Sequence, residues 1–275
     1  RIQQPDFLSS FTRYSMHHLS YTDNSYQTPA GSASLLGRLL PSVSFYTSFL
    51  ANVYFSSRKA QQGVYDDAAW SRSSYEVLRA LERAGVSISV SGIDHLQALE
   101  SPCVIIGNHI SMMETTVLPS IIVPFRPVTY VIKESLLAYP VFKHVMRSRN
   151  PVAVTRTNPR QDLQTVLGQG VERLRQGISV VVFPQTTRGI DFDPNQFSTI
   201  GIKLAKKAGV PVLPLALKTD AWTNGKWIKD LGRIQPNRKA CFAFDRPLTV
   251  QGKGQEEHQQ VLDFIAAKLK EWEKE

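Results

Sequence analysis

A chain of 275 residues with 42% apolar and 20% charged side chains can bury one large core or two modest ones, which excludes a wholly disordered protein. Its formal charge of +9 calls for an acidic partner: nucleic acid, an anionic membrane surface or a phosphorylated substrate. The two cysteines, Cys103 and Cys241, lie inside apolar runs without zinc-like spacing, so they read as buried thiols in a reducing compartment rather than as a disulfide or metal site.

Residues 1–33 form a polar leader rich in Ser, Tyr and Gln, without the apolar core of a secretory signal. Leu35 to Phe55 (LLGRLLPSVSFYTSFLANVYF) nearly reaches the ~20 residues of a membrane span, but Arg38, Pro41, Asn52 and several Ser/Thr argue against a simple spanning helix. Leu36, Leu39, Leu40, Val43, Tyr46, Leu50, Val53 and Tyr54 recur at helical spacing and give one apolar stripe. That stripe fits a helix lying in a membrane interface or one packed on the domain core. The basic end at Arg58 and Lys59 favours the membrane. Residues 34–84 therefore read as a helical, membrane-associating segment, closed by a helix over Trp70 to Ala84.

From residue 85 onward strands and helices alternate. Strands are expected at Val86–Val90, Cys103–Ile106, Val128–Ile132, Val152–Val154, Ser179–Phe183, Val212–Leu217 and Ala240–Phe244. Helices fall at about 111–122, 136–147, 160–176, 198–208 and 256–273, with Gly177 and Gly209 as closing residues. Such alternation predicts an α/β domain over 85–275 around a largely parallel sheet flanked by helices, with ligands gathering at the carboxyl ends of the strands.

Two features bear on chemistry. Ser135 to Gln161 carries five basic residues (Lys143, Arg147, Arg149, Arg156, Arg160) and no acid, which by itself reads as a solvated basic face. No recognisable nucleic-acid module accompanies it. The other feature is a histidine followed five positions later by an acid. It occurs at His18/Asp23, His95/Glu100, His109/Glu114 and His258/Asp263, four of the six histidines, so spacing decides nothing. Scaffold separates them: only His109 follows a buried strand and a Gly107-Asn108 turn and precedes a helix. Five helical positions turn through roughly 140°, so His109 meets Glu114 only if it stands in the turn before the helix. Neutral His109 would then be a general base with Glu114 fixing its tautomer, although a satisfied structural histidine explains the pair at least as well. The strand-end segments "FPQTTRG" (Phe183 to Gly189) and "NPVAVTR" (closing on Arg156) tip the balance. They bring Gln185, Thr187, Arg188 and Arg156 to the same rim, which suits attack by a hydroxyl on an acyl group with an anionic substrate held by the arginines. No Gly-x-Ser-x-Gly elbow is present.

At these residues the sequence resembles the glycerolipid acyltransferases, the 1-acylglycerol-3-phosphate O-acyltransferase family. Four blocks match in order between Ser101 and Leu217: "NHISMME", like Asn-His-x4-Asp; "VIKESLLAYPVFKHVMRSRNPVAVTR", with Lys133, Glu134, Pro140 and Arg156; "FPQTTRG", like Phe-Pro-Glu-Gly-Thr-Arg; and "AGVPVLPLAL", like Val-Pro-x-x-Pro. Departures are Glu114 for Asp, Gln185 for Glu, Thr186 for Gly, and "FSTIG" where the family often has Phe-Lys-x-Gly. The resemblance implies transfer of a fatty acyl group from acyl-CoA or acyl carrier protein to a lysophospholipid hydroxyl. His109 and Glu114 would be catalytic, Arg156 and Arg188 a phosphate clamp, Gln185 and Thr187 its lining and Lys133 a further contact. No metal or redox cofactor is implied. The expected acceptor is 1-acylglycerol 3-phosphate, giving phosphatidic acid. Glycerol 3-phosphate, another lysophospholipid or a lyso-aminolipid stay open, as does a non-catalytic lipid-binding role. Peripheral attachment to the cytoplasmic face of an anionic membrane is expected.

Overall fold

The computed structural model describes residues 19–140, 142–185, 187–226 and 229–274. The N-terminal part holds β1 (Tyr26–Gln27), α1 (Leu35–Leu39), α2 (Pro41–Gln61) and α3 (Asp67–Arg83). Then follow β2 (Ile88–Ser91), α4 (Ile93–Gln97), β3 (Val104–Gly107), α5 (Met113–Ile122), β4 (Val128–Lys133), a 3-10 turn (Glu134–Ala138), α6 (Phe142–Ser148) and β5 (Val152–Val154). The remainder is α7 (Pro159–Arg175), β6 (Ser179–Val182), α8 (Ile200–Ala208), β7 (Val212–Lys218), β8 (Ala240–Phe244) and α9 (Gln255–Trp272). All seven expected strands are present, two with the expected bounds and five shifted by a residue or two at one or both ends. The short β1 was not expected as an element.

Among the described residues eight strands form one sheet, in the order β1-β2-β8-β7-β3-β6-β4-β5. The run from β7 through β3, β6 and β4 to β5 is parallel, while β8 pairs antiparallel with β7 and β1 with β2. Alternation along each strand divides the core. Cys103, Ile105, Val181, Leu213, Leu215 and Leu217 face one layer, with side chains of α2, α3 and α5. Val104, Ile106, Val180, Val182, Val212 and Ala216 face the other, with α7, α8 and α9. Both faces being covered explains why these strands read as unbroken apolar runs.

From β3 the chain steps over the β6 position to β4 and then β5, with α5 and α6 on one face. It returns through α7 on the other face to β6, then through α8 to β7. The carboxyl ends of β3, β6, β4 and β5, adjacent in the sheet, thus open onto one rim where the winding reverses, the usual place for a ligand cleft in such sheets.

The stretch expected as one helix from Leu35 is broken at Leu40, whose φ of −136° and ψ of 71° lie outside the helical region. Pro41 then opens α2 as its first residue, where a missing N–H costs nothing. Helix α2 packs on the domain through Phe45, Phe49, Val53, Ser56 and Ser57, and Phe45 and Phe49 meet Trp222 edge-on at 4.7 and 5.0 Å. The stripe read from the sequence mostly faces outward: Leu36, Leu39, Leu40, Val43, Leu50 and Tyr54 are exposed, with Leu35 and Phe55 beside them. Val53 turns inward. Among the described residues no helix is long and apolar enough to cross a membrane.

Both cysteines are free and buried. Part of the basic stretch is structural rather than a solvated face. Arg149 pairs with Asp67 at 2.7 Å, lies over the Tyr65 and Trp70 rings, and donates to the Tyr65 carbonyl, so it ties α6 to the start of α3.

Candidate active site

The turn after β3 is built by side chains that replace backbone pairing. A Cβ at Gly107 would stand 3.0 Å from the Leu215 carbonyl oxygen, so the strand end approaches β7 closely only because this residue has none. Asn108 continues the ladder with its amide: its Nδ2 donates to the Leu217 carbonyl at 2.8 Å and its Oδ1 accepts from the Leu217 N–H at 2.9 Å. The His109 N–H donates to Gln185 Oε1 at 2.6 Å, and its carbonyl accepts from the Gly189 N–H at 3.1 Å. The backbone before α5 is thereby pinned to β7 on one side and to the loop after β6 on the other.

This places the imidazole in the turn and Glu114 in the first turn of α5, the arrangement the spacing required. His109 Nδ1 lies 2.9 Å from Glu114 Oε1. The same oxygen accepts from the N–H groups of Ile110 at 2.6 Å and Ser111 at 2.9 Å. Glu114 Oε2 accepts from Thr219 Oγ1 at 2.6 Å and from Ser111 Oγ at 3.2 Å. Burial of this fully enclosed carboxyl works against its charge. The donors from His109, Thr219 and the backbone at the helix N-terminus outweigh it and hold Glu114 below the ordinary carboxylate range. An ionised carboxylate only accepts, so Nδ1 carries the proton and the Nε2 lone pair faces the cleft. Phe183 stacks on the ring at 4.5 Å and 7°, fixing its plane.

The other two described histidines with that spacing lack this setting. His95 faces Asp94 at 3.7 Å rather than Glu100. His258 is half buried against the Phe197 ring, not on an exposed helix face, while Asp263 accepts from Gln259. His18 lies outside the described residues.

His109 opens on a cleft of about 480 Å³. Its cationic lining comes from Lys133 at the end of β4, Arg156 after β5, Arg188 after β6 and Lys229 on the loop after β7. Its apolar lining comes from Met112 at the start of α5 and from Leu136, Tyr139, Phe142 and Met146 around α6 and the 3-10 turn. Thr187 also lines it. Gln185 does not: it sits buried behind His109 as the acceptor for that residue's N–H. Arg156 takes a left-handed φ of 61°, held there because its N–H donates to Asp162 Oδ2 at 2.7 Å. Burial and the charge of Arg188 pull its guanidinium below the usual range, so these cations lie close enough to compete for one anion. Arg188 Nε donates to His109 Nε2 at 3.3 Å while its Nη1 pairs with Asp230 at 2.5 Å.

Sequence reasoning did not anticipate Asp230, Lys229, Ser111, Thr219 or Tyr130. Thr219 follows the "AGVPVLPLAL" strand directly and was within reach of the same strand-end argument. Asp230 and Lys229 lie in a loop without any motif. Tyr130 lines the cleft from β4, and its buried hydroxyl has no hydrogen-bond partner among the described residues. Nor, among those residues, do three His, Cys, Asp or Glu side chains gather as metal ligands.

Residues 87–218 match the Acyltransferase family model. The chain is 35% identical over 167 residues to a 1-acyl-sn-glycerol-3-phosphate acyltransferase of Pseudomonas aeruginosa, covering 60% of this chain and 62% of that one. It is 30% identical over 166 residues to the Borreliella burgdorferi protein of the same name, covering 58% and 63%. The chain thus spans less than two thirds of the length of these relatives. In three dimensions it is similar to the crystal structure of the Thermotoga maritima 1-acyl-sn-glycerophosphate acyltransferase, with a TM-score of 0.63 over 85% of this chain and 95% of that one. At 21% identity that likeness speaks for the fold.

Proposed function

We propose, from the match of residues 87–218 to the Acyltransferase family model, that this chain moves a fatty acyl group from acyl-CoA or acyl carrier protein to the hydroxyl of 1-acylglycerol 3-phosphate. The product is phosphatidic acid. The observation that carries the reading is one imidazole backed by a buried carboxylate and facing a cleft with cationic and apolar linings. His109 Nε2 takes the proton as the acceptor oxygen attacks the thioester carbonyl. The carbon–sulfur bond then breaks, and the imidazolium returns that proton to the departing thiolate. Glu114 stabilises the imidazolium between these steps. Arg156 and Arg188 take the phosphate, with Lys133 and Thr187 beside them, and the apolar wall takes acyl chain.

Gln185 is consistent with this role. The work it does here, accepting the His109 N–H, needs only an oxygen that glutamine and glutamate share. The replacement therefore gives no support to a non-catalytic reading.

The attachment surface follows from α1 and α2. Leu35, Leu36, Leu39, Leu40, Val43, Leu50 and Phe55 project outward, with the exposed cations Arg38, Arg58 and Lys59 on the same helices. An interfacial helix pair on an anionic leaflet accounts for both. Phe49 of α2 packs on Phe142 of the cleft wall at 6.2 Å, which sets the apolar part of the cleft beside that surface. The test is transfer from acyl-CoA or acyl carrier protein to a panel of acceptors. Turnover with 1-acylglycerol 3-phosphate that is abolished by His109→Ala supports the reading. Turnover with no phosphate-bearing acceptor overturns it.

A further inference from the structure

The arrangement around His109 Nε2 raises a difficulty for the proposed chemistry. The lone pair that must receive the acceptor's proton already receives a hydrogen bond from Arg188 Nε at 3.3 Å. A guanidinium only donates and keeps its charge throughout. While it stays there, it competes with the acceptor hydroxyl for the lone pair, and its charge opposes formation of an imidazolium. Arg188 is not there by default: Asp230, on a loop no motif marks, holds its Nη1 at 2.5 Å with both side chains largely buried. Three further cations, Lys133, Arg156 and Lys229, line the same cleft, so an anion entering it meets a field that Asp230 alone offsets among the lining residues.

We infer that Arg188 and Asp230 form a latch on the base, opened by the acceptor's phosphate. The phosphate draws the guanidinium away from both Asp230 and His109 by a bidentate pair. Recognition of the anionic headgroup and release of the Nε2 lone pair thus become one event. Asp230 is a positioning residue that acts through Arg188, and the latch makes the phosphate a requirement of turnover as well as of binding. This inference rests on the function proposed above and adds a determinant of acceptor specificity to it.

The experiment uses the full chain with acyl-CoA and two acceptors, 1-acylglycerol 3-phosphate and phosphate-free 1-acylglycerol, with and without inorganic phosphite as the free anion. The latch predicts that loss of the phosphate lowers kcat by at least ~10²-fold, beyond any rise in KM, and that phosphite restores at least ~10-fold of it. Asp230→Asn is expected to raise turnover of the phosphate-free acceptor ~10-fold without phosphite and to shrink the activation that phosphite gives. A change in KM alone, or phosphite that only inhibits, overturns the latch without any variant being needed. Failure of the wild type with 1-acylglycerol 3-phosphate itself instead overturns the assigned function. In that event the latch is judged by the 15N resonance of His109 Nε2. A shift of that resonance on adding phosphite, reduced in Asp230→Asn, upholds it, and an unmoved resonance overturns it.

Discussion

Replacing Glu114 by Gln separates the charge of that carboxylate from the shape it maintains. Oε1 accepts from His109 Nδ1, the Ile110 N–H and the Ser111 N–H, and a glutamine oxygen placed there keeps all three. At the Oε2 position the partners are the hydroxyls of Thr219 and Ser111, which can rotate to accept from an amide NH2, and the Ser111 N–H at 3.1 Å, which keeps its shorter bond to Oε1. The substitution is therefore close to isosteric, and what it removes is the negative charge 2.9 Å from Nδ1. With charge centres about 4 Å apart and an effective dielectric constant of about 20, stabilisation of the imidazolium is about 4 kcal/mol. That corresponds to about a 10³-fold fall in kcat/KM for acyl transfer. Glu114→Ala differs, because it leaves several buried donors unpaired at about 1–3 kcal/mol each and should lower stability as well as rate. Thioester consumption followed by thiol release, alongside thermal unfolding, measures both quantities. A Glu114→Gln protein that melts like the wild type yet keeps its rate within tenfold would refute the assignment of Glu114 as the partner of the base.

Three other outcomes are expected. Asn108→Ala removes two hydrogen bonds to the Leu217 backbone and should cost about 2–4 kcal/mol in urea unfolding; an unchanged midpoint would mean that water or a shifted strand replaces them. The Glu114 carboxyl is held below its ordinary value of 4.5, so the stability its ionised form provides is complete above that value and is lost as pH falls through the lowered one. The wild-type Tm should accordingly fall more steeply than that of Glu114→Gln below pH 4.5, and parallel curves would contradict the direction of the shift. Leu36, Leu39 and Leu40 are 48%, 72% and 54% exposed, so changing all three to Ser should leave the fold intact. At about 1.5 kcal/mol for each leucine no longer buried in lipid, partitioning onto anionic vesicles should fall by about 10³-fold in a co-sedimentation assay. Equal partitioning would remove α1 and α2 from the attachment surface.

Much of this molecule follows from local chemistry that a sequence displays. The strands are apolar on both faces because helices cover both, so runs such as Cys103–Ile106 and Val212–Leu217 are visible without an alignment. Turns of Gly107-Asn108 type and closing glycines such as Gly209, with a φ of 69°, mark where elements stop. That His109 precedes a helix at the end of such a run singled it out from three other histidines with the same spacing to an acid. Arg156 and Arg188 were placed at the rim because they end strands. Their mutual approach could be expected but not measured, since it depends on β5 and β6 flanking β4 in the sheet.

What the linear chain did not decide is how each side chain spends its hydrogen bonds. Gln185 belongs to a strand-end motif yet faces the backbone behind His109, because the turn after β3 leaves an N–H there that needs an acceptor. The stripe on α1 and α2 has the period of a helix, but period alone does not say which face is covered. Phe45 and Phe49, packed on Trp222, commit the opposite face to the core and turn the leucines outward. Asp230 carries no local signal at all, being brought to Arg188 by a loop whose path is set by long-range packing. Sequence periodicity reports which residues want burial, and only tertiary structure assigns the partners that burial and charge then require.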